Sequence, residues 1–280
     1  MKKLVSILLM LALFAVPAMA EETGKDMRQV GQLAKSNYTE EEFNQLMTEN
    51  VLPSSWYVFD DDHAVHYKFF DDLSSMLMAL KSGVVDEITL PQFVAEYVVS
   101  VNPELKVTCV QSLPKNMSLL FGFRDDERGR SLQARVNEAL DGLRADGTLD
   151  ALKERYLDRT ENTELLPVEF AAFPESDETI RVVVTGDLPP IDYMEADGTP
   201  AGFNTAVLAE IGRWLEVNIE LVSMQTGSRV MALTSDAADA AFWFMDRPGF
   251  DDDAPDGLIF SKPYLDWSLW LHIQNISEEP

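Results

Sequence analysis

The feature that most constrains this chain is an internal repeat. Met78-Ala79-Leu80-Lys81-Ser82-Gly83-Val84-Val85-Asp86 recurs as Met231-Ala232-Leu233-Thr234-Ser235-Asp236-Ala237-Ala238-Asp239, an offset of 153 residues (78 to 231). The same offset (28 to 181) relates Arg28-Gln29-Val30-Gly31 to Arg181-Val182-Val183-Val184. Two matches at one offset imply two halves of like build; a single recurrence is not the short, many-fold period of a solenoid.

Each copy alternates strand-length and helix-length apolar segments, the pattern of parallel-rich α/β units. In the first, Gln29–Leu33 reads as a strand and Thr39 caps a helix opening on Glu40-Glu41-Glu42, three acids suited to the positive end of a helix dipole. Val65–Phe69 follows as a strand. Asp71 or Asp72 caps a helix with Leu73, Met76, Leu77 and Leu80 inward, stopped by Gly83. Val84–Leu90 is a strand, Gln92–Val101 a helix, and Leu105–Val110 and Ser118–Phe123 two further strands. Two closing helices carry Leu132, Val136, Ala139, Leu140 and Leu143, then Leu149, Leu152 and Tyr156, the second capped by Thr148. The second copy opens on the strand Ile180–Thr185. Asn204 or Thr205 caps a helix over Val207–Leu215, and Ile219–Met224, Ala238–Phe244 and Leu269–Ile273 are strands around a short helix at Ser228–Ser235. The domain boundaries read as 1–20 signal peptide, 26–160 first α/β domain with closing helices, 161–178 polar linker and 179–280 second α/β domain.

The first twenty residues have the three parts of a secretory signal. Lys2 and Lys3 precede an apolar run from Leu4 to Val16, and Ala18-Met19-Ala20 supplies an A-x-A end. The run is shorter than the roughly 20 residues a bilayer span needs, and no cysteine follows it for lipid anchoring. The expected location is therefore the periplasm, with cleavage after Ala20 and no membrane insertion afterwards. The formal charge of −26 argues against nucleic acid or an anionic lipid surface as partner. Disorder does not follow from that charge, because 46% of residues are hydrophobic. Cys109 is the only cysteine, which removes intramolecular disulfides and cysteine metal cages. His63 and His66 flank a short strand beside Asp60-Asp61-Asp62, a weak metal cluster or a solvated loop. No cofactor is expected.

At this point the residues acquire a family resemblance. Ile180-Arg181-Val182-Val183-Val184-Thr185-Gly186-Asp187-Leu188-Pro189-Pro190 resembles the opening strand and loop of family 3 extracellular solute-binding proteins, the amino-acid-type receptors of ABC importers. Asp197-Gly198-Thr199-Pro200-Ala201-Gly202-Phe203-Asn204, Asp239-Ala240-Ala241 and Phe260-Ser261-Lys262-Pro263-Tyr264 continue the likeness in the family's order. In that family these segments build lobe one. Val65–Leu90 resembles lobe two, and Ala145-Asp146-Gly147-Thr148-Leu149-Asp150 with Tyr156 resembles the closing segment. The resemblance implies a two-lobed, type II periplasmic-binding-protein-like α/β fold with parallel-rich sheets flanked by helices and a cleft between lobes. It further implies a small-molecule ligand and the membrane permease of an ABC importer as partners. Here the lobe-two-like half comes first. That order fits a circular permutation, two fused incomplete repeats, or halves that pair between chains; monomer and dimer both remain open.

Ligands of open α/β lobes sit beyond the carboxyl ends of the strands. The loops there offer Asp187, Tyr193, Trp243, Phe244, Asp246 and Arg247 from the second half, and Tyr38, Thr39 and Gln92 from the first. The resemblance implies an arginine for a ligand carboxylate and an acid for its ammonium. Arg247 lies near the first position in a shortened run, and Pro91 stands where the acid belongs. The remaining set is aromatic and acidic, suited to a cationic or aromatic solute. Of Trp243 and Phe244, one is expected in the core, and Arg247 either reaches ligand or pairs with Asp246 or Asp251-Asp252-Asp253. Tyr264, Trp267 and Trp270 either face another protein or pack a hinge. No Cys–His pair, no G-x-S-x-G elbow and no histidine at the cleft loops supports catalysis. A dehydratase of the same fold and a ligand-sensing or partner-binding module are the alternatives to a binder.

Overall fold

The computed structural model describes residues 27–34, 38–48, 64–158, 166–246 and 255–276. The proposed signal peptide, Lys35, Asn37, Asp60 to His63, Arg247 and Asp251 to Asp253 lie outside them, and so does part of the linker. Of Asp246 only the backbone is described. No helix among the described residues is long and apolar enough to cross a membrane.

In the first half, β1 (Met27–Leu33) lies parallel between β2 (Ala64–Phe70) and β3 (Glu87–Pro91). Helix α1 (Glu40–Thr48) begins at a reciprocal cap: Thr39 Oγ1 accepts from Glu42 N at 3.2 Å, and Thr39 N donates to the Glu42 carboxylate at 2.8 Å. Phe43 of α1 packs edge-on to Tyr67 on one face of the sheet. Helix α2 (Leu73–Lys81), capped by Asp72, covers the other face, where a Cβ on Gly31 would meet Met76 and Ile88. Helix α3 (Gln92–Val101) follows β3 and buries Phe93, Val94, Ala95 and Val98.

The second half repeats this plan. Strand β5 (Thr179–Val184) is parallel to β9 (Asn218–Ser223) and β10 (Ala240–Asp246). Val182 and Val184 share a core with Val207, Leu208 and Ile211 of α6 (Phe203–Leu215), while Val183 packs with Ala232 and Leu233 of α7 (Arg229–Thr234). Helices thus cover both faces, and so every inward residue of β5 is apolar. The repeat is visible in backbone detail. Gly83 (φ 71°) and Asp236 (φ 63°) take the same left-handed turn after α2 and α7. Asp86 N donates to Gln29 O, and Asp239 N to Arg181 O, both at 2.9 Å. Gln29, not Arg28, is therefore the partner of Arg181, one residue off the sequence register.

Two long antiparallel strands join the halves. Strand β4 runs from Leu105 to Arg124 and β12 from Leu265 to Asn275. With β11 (Leu258–Phe260) alongside β4, the curled sheet has the order β2-β1-β3-β12-β4-β10-β5-β9. The two separate strands expected at Leu105–Val110 and Ser118–Phe123 are one continuous β4. Between the pairs Trp267–Met117 and Leu269–Ser112 the register slips, four residues of β4 facing one of β12. That bulge lies where both strands pass from one half to the other. Strand β12 of the second half bonds β3 of the first half on one side and β4 on the other.

Helices α4 (Glu127–Ala145) and α5 (Thr148–Tyr156) follow the first half in sequence but pack on the second. The α4 backbone at Gly142 meets the Trp214 ring of α6 so closely that a Cβ would fall 2.1 Å from it. Two caps differ from expectation. Gly202 (φ 106°), not Asn204 or Thr205, opens α6, because a Cβ there would sit 2.6 Å from the Ile191 carbonyl oxygen. Gly147, not Thr148, precedes α5.

Candidate functional site

The carboxyl ends of β1, β2 and β3 face those of β5, β9 and β10, and the two rims touch. After β5, Gly186 (φ 68°) turns the chain so that Asp187 reaches the other half. Its carboxylate accepts from Ser74 N and from Ser74 Oγ, each at 2.9 Å. Ser74 lies in the first turn of α2, so the acid sits against the positive end of that helix. Beside it Thr226 N donates to Asp71 O at 3.3 Å. These bonds bridge the cleft rims directly.

A small sheet of β6 (Asp187–Leu188), β7 (Asp192–Met194) and β8 (Pro200–Ala201) shapes the second half's rim. It sets Tyr193 beside Asp187, half-buried. Across the cleft is Tyr97 of α3; burial first, then Tyr193 and Glu195, push its phenol above the ordinary range. Asp192, on β7, points inward and is fully buried. It accepts from Thr185 N at 2.7 Å, Gly186 N at 2.9 Å and Thr185 Oγ1 at 3.0 Å. Those bonds favour the anion, yet burial wins and raises its pKa to about 6, with the Asp187 charge adding to the rise. Asp192 thus pins the turn from which Asp187 projects.

The other expected residues are distributed differently. Trp243 and Phe244 are both buried, at 3% and 5% exposure. The register of β10 against β4 shifts between Ala241 and Phe244, and Trp243 takes a left-handed φ of 66°. The bulge sends the two successive rings into two different cores. Asp246 ends β10 opposite Ser118. Tyr38 is half-buried near Phe43 at 6.5 Å, and the Thr39 hydroxyl is committed to Glu42 at 2.9 Å. Gln92 opens α3 and donates to Glu96 at 2.7 Å. The structure therefore gathers Asp187 and Tyr193 with Ser74, Asp71, Tyr97 and Glu195, an acidic and aromatic rim.

Two features escaped the sequence. Arg229 is buried and donates to the carbonyls of Thr226 and Phe242, both at 2.9 Å, and to that of Trp243. Its guanidinium lies 5.1 Å from the Phe244 ring. Burial lowers its pKa to about 9, still charged at neutral pH. It holds the β10 bulge, a role that a lone arginine at a helix start does not announce. Ser74 carries no local signal of its own in the first turn of α2; the neighbouring half makes it a rim contact. The aromatic end packs the hinge: Trp267 meets Phe93 at 5.7 Å, Tyr264 stacks on Phe121 at 4.4 Å, and Trp270 Nε1 donates to Met117 Sδ at 3.2 Å.

Residues 180–266 match the family described as bacterial extracellular solute-binding proteins, family 3. That segment is the second half, from β5 into β12, and the resemblance read from the sequence holds there. No curated protein matches the chain. Among solved structures, the ligand-binding component of an ABC-type import system from Staphylococcus aureus, with zinc bound, shares 10% identity at a TM-score of 0.46; the match covers 90% of this chain and 67% of that one. A putative L-cystine ABC transporter protein from Listeria monocytogenes shares 12% identity at 0.39, covering 90% and 84%. The periplasmic aliphatic sulphonate binding protein SsuA from Escherichia coli shares 10% identity at 0.41, covering 89% and 65%.

Proposed function

We propose that this chain is an extracytoplasmic solute-binding protein that captures a small cationic or aromatic solute and presents it to the permease of an ABC importer. The supporting observation is that the rims of the two halves meet through Asp187 and Ser74, while β4 and β12 cross between the halves at a bulge. Such a hinge lets the halves close on a ligand and exclude water. The rim is rich in acids and in tyrosines, which favours a cation or a flat ring over an anion. The family match over residues 180–266 supports the same reading, as does the exported, periplasmic location expected from residues 1–20.

We further propose that the chain is a circular permutation of the family's plan. Its first half, crossing strand and closing helices would follow β12 in the family's order. In support, β12 ends and β1 begins at the same end of the sheet, separated by β3 alone.

Thermal-shift and calorimetric titration of the purified protein against cations, amino acids and aromatic metabolites tests the function. Saturable stabilisation by a cation or aromatic solute, with contraction in small-angle scattering, is expected. Selective binding of anions rejects the ligand class, and turnover of a bound compound rejects the receptor.

A further inference from the structure

One face of the first half's sheet carries a buried polar row unrelated to the cleft rims. Alternation places Arg28, Val30 and Gln32 on the α1 face of β1, since Gly31 faces Met76 across the sheet. On that face Arg28 Nη2 donates to Glu87 Oε2 at 2.5 Å and Gln274 Nε2 to the same oxygen at 3.2 Å. His272 Nδ1 lies 2.9 Å from Glu87 Oε1. Glu87, Thr89, His272 and Gln274 therefore share the face. His272 is paired with Thr89 across β12 and β3. The register Val30–Glu87, Gly31–Ile88 continues to set Gln32 beside Thr89.

Three atoms of this row have no hydrogen-bond partner: Gln32 Oε1, Thr89 Oγ1 and His272 Nε2. Thr89 is 6% exposed and His272 3%. Buried polar atoms are nearly always paired, and leaving one unpaired is costly. The strand register sets Gln32 and His272 on either side of Thr89, so one complement can serve all three.

The chemistry of the three specifies it. With Glu87 accepting from Nδ1–H, a neutral His272 ring presents a lone pair at Nε2. Gln32 Oε1 also accepts, and the Thr89 hydroxyl can donate. The complement needs two donors and one acceptor within reach of strands about 5 Å apart. We propose that a single water molecule is bound here, donating to His272 Nε2 and Gln32 Oε1 and accepting from Thr89 Oγ1. A neutral water suffices for this set, since Glu87 is already paired with Arg28. Among the described residues no group of three or more His, Cys, Asp or Glu could hold a metal. The water ties β1 and β3 to β12, the strand that crosses between halves, and so anchors the hinge to the first half whatever occupies the cleft.

A high-resolution crystal structure of the full chain should show a water within about 2.7–3.2 Å of all three atoms. Long-range 15N–1H spectra of the unmodified protein should place the His272 proton on Nδ1. Thr89→Val and Gln32→Leu should each lower Tm by roughly 2–4 °C, and the double variant by little more than one alone, because they share one ligand. A Thr89→Val that leaves Tm unchanged or higher, additive losses, a proton on Nε2, or absent density overturns the proposal. Should neither variant fold, density and spectra of the parent decide it.

Discussion

At the scale of single residues the rim acid is the most informative side chain. Asp187 bonds the first turn of α2 through both carboxylate oxygens, so its removal frees two donors on the far rim. Asp187→Ala should shift the unliganded protein toward an open form by about 1 kcal/mol, seen as a larger radius of gyration in small-angle scattering. Ser74→Ala should add little to it, because the pair acts as one contact. Asp192 makes a separate prediction. Its folded pKa of about 6 lies above the ordinary 3.8, so the folded state holds the proton more tightly than the unfolded chain. That contribution to stability is complete below about 3.8 and is lost as pH rises through about 6; two units correspond to about 3 kcal/mol. Denaturant unfolding between pH 4 and pH 7 should show this loss, and Asp192→Asn should flatten it. The Asp187→Ala variant should lower the Asp192 midpoint, since the Asp187 charge is one cause of the rise.

At the scale of elements, the entry of α4 is set by a close backbone approach. Asp126 caps the helix by accepting from Gly129 N at 2.7 Å, and a Cβ on Gly129 would lie 1.9 Å from the Arg124 carbonyl oxygen. Backbone cannot swing aside as a side-chain tip can. Gly129→Ala should therefore cost about 2–3 kcal/mol, measured by urea denaturation, although alanine is the better helix former. Elements with strong local signals were legible in the sequence: Gln92–Val101 is found as expected, and the Thr39 cap and the Gly83 stop lie where their chemistry put them. The caps at Gly202 and Gly147 were not, because polar neighbours on the sequence competed and only packing against Ile191 selects glycine at the first.

At the scale of the whole molecule, the permutation proposal carries its own test. A chain starting near Pro167, running through Ile276, joined by a short linker to Met27 and ending near Asp158 restores the family's order. The gap to be spanned crosses one intervening strand, roughly two strand spacings or about 10 Å, within reach of a few residues. That variant should fold to a Tm within a few degrees of the parent and keep its ligand. A failure to fold, with the parent stable, counts against interchangeable order.

Periodicity and local turn chemistry carry the two-copy plan, the alternation of strands and helices, the family pattern in the second half and the core faces. Tertiary structure alone decided that Leu105–Arg124 is one strand crossing both halves, and that Trp243 and Phe244 are core on either side of a bulge. It also decided that Asp187 meets Ser74 and that Arg229 holds the bulge from beneath. Each of these depends on contacts between residues far apart in the chain, whose geometry no local pattern encodes. The loops of the proposed cleft are therefore legible in the sequence, and the contacts they make only in the folded molecule.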